Sequence, residues 1–203
     1  MTTRRMIYLG VLIVVVSTAY FGWKLTARGA YESAEYTVLE SDGSFEKREY
    51  PDLMMATTDM GSRIQGGDGS FGRLFQYISG GNEDKQKVAM TTPVFMEPEA
   101  RDKQGQMGFV LPKRVTELRV PKPSNEEVEI RKRSGGRFAV IRFAGRMNSE
   151  SLAKAEEKLR QWMNDRELVG EGRAESAGYD PPWTPGPLPH STPDNLPGAA
   201  ADA

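Results

Sequence analysis

The chain has 203 residues, room for one domain of ordinary size with a short anchor and a tail. Its formal net charge is −1, with acids and bases interleaved as in Glu46-Lys47-Arg48-Glu49, so no global field recruits nucleic acid. Cysteine is absent, which excludes disulfides, thiolate metal sites and a cysteine nucleophile.

Met6 to Trp23 (MIYLGVLIVVVSTAYFGW) runs for eighteen residues without a charge. As a helix it spans roughly 27 Å, against about 30 Å of bilayer hydrocarbon. Tyr20 and Trp23 stand at its far end, where amphipathic rings favour the interface. Arg4 and Arg5 precede the span and Lys24 and Arg28 follow it, so the flanking charges nearly balance. The short lead favours a single pass through the inner (cell) membrane, with the domain on the periplasmic side. A cleaved secretory signal, with Ser17-x-Ala19 or Ala27-x-Gly29 as its site, is the alternative. The apolar run exceeds the usual signal core of about 7–15 residues, which favours an uncleaved anchor. Residues 1–29 then form anchor and stem, 30–187 the domain, and 188–203 a Pro-rich tail.

Glu35–Glu40 and Phe45–Tyr50 read as strands joined by Ser41-Asp42-Gly43-Ser44, a hairpin signal. Leu53–Met60 is a third strand, and Ile64–Gly69 a loop. Ser70 offers an N-cap, and Phe71, Leu74, Phe75 and Ile78 form one apolar helix face that Gly80-Gly81 ends. Strands follow at Val88–Met96, Met107–Leu111, Val128–Arg133 and Phe138–Phe143. A second helix starts at Asn148 or Ser149, with Leu152, Ala155, Leu159, Trp162 and Met163 on its apolar side and Glu156 paired to Arg160. Arg173–Tyr179 is the last predicted strand, Asp180–Pro197 is proline-rich, and Gly198–Ala203 reads as a frayed tail. Strands, a helix and a proline-containing segment occur twice in the same order, a weak internal duplication. Two helices on one antiparallel sheet give an α+β two-layer or barrel-like domain.

KVAMTTPVFMEPE (Lys87–Glu99) and GYDPPWTPGPLP (Gly178–Pro189) resemble the two signature segments of the SOUL haem-binding protein family. FEKREYP (Phe45–Pro51), Gly80-Gly81-Asn82 and RFAVIRFAGR (Arg137–Arg146) are similar to that family in its usual order. The resemblance covers roughly Tyr36 to Pro187. It implies a pseudo-symmetric twisted antiparallel sheet closing toward a barrel, flanked by two helices, and binding of haem or another tetrapyrrole rather than catalysis. The family commonly continues past its WTP segment into a basic pair and a final strand. Leu188–Asn195 stands here instead, so that strand is expected to be lost or much altered.

Haem is a flat apolar disc with an iron centre and two carboxylates on one edge. Its site needs an apolar slot, rim cations and, where iron is ligated, a donor. Phe71, Leu74, Phe75 and Ile78 supply either that slot or plain core; the resemblance places the tetrapyrrole against this helix. Arg73, Lys85 and Lys87 are rim-cation candidates, or else solvated charges. His190 is the only histidine and lies in the tail. Met90, like Met54, Met55, Met60 and Met96, offers a thioether or fills core gaps, and Tyr179 a phenolate or a structural ring. The axial ligand stays open. No catalytic triad, zinc spacing or phosphate loop can be assembled, so an enzyme is not expected. The alternatives to tetrapyrrole binding are a module for another apolar effector and a protein-interaction module using Pro181–Pro197.

Overall fold

The computed structural model describes residues 32–61, 69–99, 104–143, 145, 147–179 and 196–202. The span Met6–Trp23, residues 62–68 (with all but Gly69 of the loop expected over Ile64–Gly69), and residues 180–195 with His190 lie outside the described residues. Among the described residues no helix is long and apolar enough to cross a membrane.

FEKREY forms β3 (Phe45–Tyr50), in which Glu46, Arg48 and Tyr50 are buried on one face while Phe45 packs on the other. It pairs with β2 (Thr37–Asp42) through the turn at Gly43, whose φ of 60° is a left-handed conformation suited to glycine. The remaining strands of the main sheet are β4 (Leu53–Asp59), β6 (Val94–Glu97), β7 (Gln106–Val110), β8 (Glu129–Arg133), β9 (Gly136–Ile141), β10 (Val169–Gly178) and β11 (Leu196–Asp202). Their order is β2-β3-β9-β11-β10-β6-β7-β4-β8, antiparallel throughout. A separate parallel pair joins β1 (Glu32–Ser33) to β5 (Thr91–Thr92).

Three helices lie among the described residues: α1 (Ser70–Ile78), α2 (Lys113–Leu118) and α3 (Ser149–Asn164). Leu74, Tyr77 and Ile78 of α1 pack on Ala56, Val94, Met96, Met107 and Phe109, from β4, β6 and β7. Ala155, Leu159, Trp162 and Met163 of α3 pack on Ala139 and Ile141 of β9. Phe45 stacks on Trp162, 5.3 Å between ring centroids. Both helices therefore cover one face of the sheet. The opposite face carries a second core of Tyr50, Leu53, Met55, Phe95, Val110, Phe138, Val140 and Ala177.

The duplication expected from element order is visible in the topology. Counting only strands of the main sheet, strand, helix, strand, strand runs as β4-α1-β6-β7 and again as β9-α3-β10-β11. On either side of the β6–β10 pair the order reads β6-β7-β4 one way and β10-β11-β9 the other. A pseudo-twofold axis between β6 and β10 relates the halves, and β11 is the counterpart of β7. Of the closing strand expected to be lost or much altered, an altered one is present, and the expectation that Gly198–Ala203 frays is corrected: Leu196–Asp202 pairs with both β9 and β10. LPGAAAD carries no strand-forming composition. Ladders on both its edges hold it, a tertiary cause that overrides propensity.

The sheet is open, with β2 and β8 as its two ends and no pairing between them among the described residues. It is nonetheless curled. Flat, β8 would lie four strand spacings, about 19 Å, from β10. Yet Arg133 on β8 forms an ion pair with Glu175 on β10, so the sheet folds over its helix-free face. Pro51-Asp52 links β3 to β4 and Ser134-Gly135 links β8 to β9, each crossing between the halves in two residues. These crossings touch. The Gly135 N–H donates to the Asp52 carboxylate at 2.8 Å, and a Cβ at Gly135 would lie 2.4 Å from the Tyr50 carbonyl oxygen.

The Gly135 hydrogen bond and Lys132 hold the Asp52 carboxyl below its ordinary value of 3.8. A carboxyl lowered by folding stabilises above its unfolded pKa, and that contribution fades as the pH falls through the folded value. The stability gap between the protein and Asp52→Asn is accordingly expected to be full at neutral pH and to shrink below about pH 4. Urea denaturation across the acid range measures it.

Three further expectations shift. The strand expected over Val88–Met96 splits into β5 and β6 at Pro93, which has no N–H to give a ladder. Ser70 is the first residue of α1 rather than its cap; Gly69, at φ 89°, precedes it. Asn148 does cap α3: its side chain accepts from the Ser151 N–H at 2.8 Å, and Ser151 Oγ accepts from the Asn148 N–H at 3.0 Å.

Candidate functional site

The face expected on α1 divides three ways. Leu74 and Ile78 are buried in the core beside Tyr77 and are not surfaces a ligand meets. Phe71 and Phe75, one turn apart, stack at 6.0 Å with their planes within 16°. Phe71 is half-buried and meets the buried Phe109 edge-on at 5.2 Å, whereas Phe75 is 42% exposed. The three rings form a row running from the core to the surface. Arg73 sits about 160° from Phe75 around the helix, on the opposite flank. There its Nε donates to Thr58 Oγ1 at 3.0 Å and its Nη2 to the Asp59 carbonyl at 2.6 Å. Arg73 thus pins α1 to β4 and does not stand beside the phenylalanines.

Arg73 borders an open cleft of about 590 Å³ with Gln76, Tyr77, Gly81 and the turn Ser124–Glu127. Tyr77 donates to the Pro121 carbonyl at 2.9 Å, and burial pushes its phenol up to about 12. With Glu126 and Glu127 in its wall, the cleft opposes an anionic edge and offers little apolar area to a disc.

The end of α1 is built by Gly80-Gly81-Asn82. Gly80 takes φ 111°, and a Cβ at Gly81 would lie 2.7 Å from the Gln76 carbonyl oxygen. Buried Asn82 donates to the Tyr77 and Gln86 carbonyls at 3.0 and 2.7 Å and accepts from the Gln86 N–H at 2.9 Å. This turn sends the chain back toward Met90, a half-buried residue packed against the same core as Phe71. Lys85 and Lys87 are exposed within it.

Tyr179 lies on the other face of the sheet, against Tyr50 and its neighbours. Arg48 donates to the hydroxyls of Tyr179 and Tyr50 at 3.4 and 3.3 Å, pairs with Glu46 at 2.6 Å and covers the Tyr36 ring at 4.1 Å. Burial pushes the Tyr179 phenol well above its ordinary value, which favours its protonated form. Burial works against the charge on Arg48, but the hydrogen bond to Tyr50 and the surrounding oxygens hold it charged. The α1 residues and Tyr179 therefore belong to separate places. Met55, Met60 and Met96 are buried core residues, as gap-filling requires. Among the described residues no group of three or more His, Asp or Glu is placed to hold a metal ion.

The family described as SOUL heme-binding protein matches residues 31–190. The chain belongs to this family. No curated protein matches it. Among solved structures, a hydrolase from Listeria innocua aligns with TM-score 0.56 at 11% identity, over 81% of this chain and 94% of that one. An uncharacterized conserved protein from Listeria innocua gives TM-score 0.56 at 11% identity, over 78% and 92%. The EcmrR–DNA complex gives 0.51 at 10%, over 97% of this chain and 66% of that one. At these identities the likeness shows the fold alone.

For a SOUL domain the test is whether its surface suits a flat apolar disc. The Phe71–Phe75 pair fits the porphyrin plane: two parallel rings, one largely exposed, on a helix fixed at both flanks. Phe71, Phe75 and Met90 are the residues that would hold it, with Lys85 and Lys87 as exposed cations on the turn that leads to Met90. When bound, haem would supply an iron centre with its redox and ligand chemistry. Sequence reading missed Tyr77 by setting the apolar stripe one flank away. The glycines at 69 and 80–81, which bound the helix, were the available signal for where its buried side begins and ends.

Proposed function

We propose that this SOUL domain binds haem or another tetrapyrrole non-covalently through the Phe71–Phe75 flank of α1, and buffers, carries or senses it without catalysis of its own. Its place would be the periplasmic side of the inner membrane, held by Met6–Trp23, where a poorly soluble amphipathic ligand partitions. The family match supports the ligand class. The observation that carries the site is the 42% exposure of Phe75, stacked on Phe71 rather than folded into the core. An aromatic pair that presents one ring at the surface gives a flat apolar ligand a face to stack on.

Hemin titrated into the full chain in lipid nanodiscs is expected to change the Soret band and saturate near one hemin per chain. Phe75→Ala should weaken binding by about tenfold, the scale of one lost aromatic contact. A non-saturating change equal to that of empty nanodiscs would overturn the reading.

A further inference from the structure

The helix-free face holds a feature that tetrapyrrole binding at α1 does not use. Residues 131 and 133 of β8 stand two apart and share that face, about 7 Å from each other along the strand. Arg133 is 8% exposed at its side chain, and its Nε and Nη2 both donate to Glu175. Its flat faces are covered by Phe138 at 4.4 Å and Phe95 at 4.7 Å. What remains is Nη1, buried and without a hydrogen-bond partner. Arg131, one third exposed, donates from Nη2 to Glu97, while its Nε is also buried without a partner. Two neighbouring guanidinium groups thus each bond a carboxylate and keep one nitrogen, Nη1 of Arg133 and Nε of Arg131, unanswered. A buried charged donor left so costs more than a neutral one, and native interiors seldom leave two together.

We propose that the concave face of β8 is an oxyanion site, in which Arg133 Nη1 and Arg131 Nε take the oxygens of a carboxylate or phosphate group. Guanidinium edges match such planar oxygen pairs. Arg131 is the mouth, because it is the exposed member, and Arg133 the floor. Phe95, Phe138 and Tyr50 around the floor favour an organic acid with an apolar body over a bare ion. The site lies on the opposite side of the sheet from α1 and stands independently of tetrapyrrole binding.

The test is calorimetric titration of the full chain in nanodiscs with sodium benzoate, sodium acetate and inorganic phosphate, each at constant ionic strength. Benzoate is expected to bind saturably near one per chain and more tightly than acetate. Phosphate binding more tightly than benzoate would keep the oxyanion site and assign it to phosphate esters. Arg131→Gln should weaken binding about tenfold, and Arg133→Lys, which keeps a cation beside Glu175 but removes Nη1, should abolish it. Should Arg133→Lys fail to fold by circular dichroism, Arg131→Gln decides alone. Absence of saturable heat with all three anions, or unchanged affinity in Arg131→Gln, would overturn the proposal.

Discussion

Replacing Arg133 with alanine is expected to lower the unfolding free energy by about 3–5 kcal/mol, the loss typical of breaking one side of a buried ion pair. Glu175, 15% exposed at its side chain, would be left without its cation, and the rings of Phe138, Phe95 and Tyr50 would face a void. The loss has a topological side as well. Arg133 stands on one end strand and reaches β3, β6, β9 and β10, so it holds the curled sheet over its own face. The double substitution Arg133→Met with Glu175→Gln should recover much of the loss, since neither charge then needs a partner. Urea denaturation followed by circular dichroism reads both. A loss below about 1 kcal/mol for the alanine variant would show the pair to be behaving as an exposed one.

Gly135→Ala is the second large effect, through backbone rather than charge. An added Cβ would lie 2.4 Å from the Tyr50 carbonyl oxygen, 2.6 Å from the Pro51 carbonyl carbon and 2.8 Å from the Asp52 nitrogen. All three are main-chain atoms, so no side chain can swing away. The two crossings would have to part, and a cost of about 1–3 kcal/mol or more follows from such overpacking. Gly72→Ala is the control. It sits in α1 with nothing within 4 Å of its Cβ position, and removing a helix-interior glycine there should stabilise by about 0.5–1 kcal/mol. Thermal unfolding is expected to move in opposite directions for the two alanines.

Local signals in the sequence carried most of the elements. FEKREY, set between the Asp42-Gly43 turn and Pro51, is β3 over the residues predicted. The second helix was readable from Asn148, its cap, and from the spacing of Ala155, Leu159, Trp162 and Met163. What escaped was held by contacts distant in sequence. LPGAAAD becomes a central strand only because β9 and β10 leave a place between them. The six residues of α2 lack the length for a periodic signal. The open sheet, in place of one closing toward a barrel, depends on how far β8 curls, which no single strand encodes.

The site was legible in kind more than in arrangement. Phe71, Leu74, Phe75 and Ile78 were recognised as one stripe, but a stripe does not say which member the sheet covers. Tyr77, buried and reaching the Pro121 carbonyl, turns the buried side of α1 toward the segment that follows α2 and leaves Phe75 at the surface. Arg73 read as a rim cation because it shares the helix. Its bonds to Thr58 and Asp59 turn it to the other flank. Arg131 and Arg133 fall in the strand read over Val128–Arg133, and the curl of the sheet, which no strand pattern encodes, is what buries Arg133.

The central claim, that tetrapyrrole lies on the Phe71–Phe75 flank, is tested most directly by backbone hydrogen exchange of the full chain with and without one equivalent of hemin. Slowed exchange confined to Ser70–Ile78 and the returning segment from Gln86 to Met90, with β8 and β9 unchanged, is the predicted result. Protection centred on β8, β9 and the segment from Glu175 to Tyr179, with α1 unaltered, would contradict it and move the ligand to the concave face.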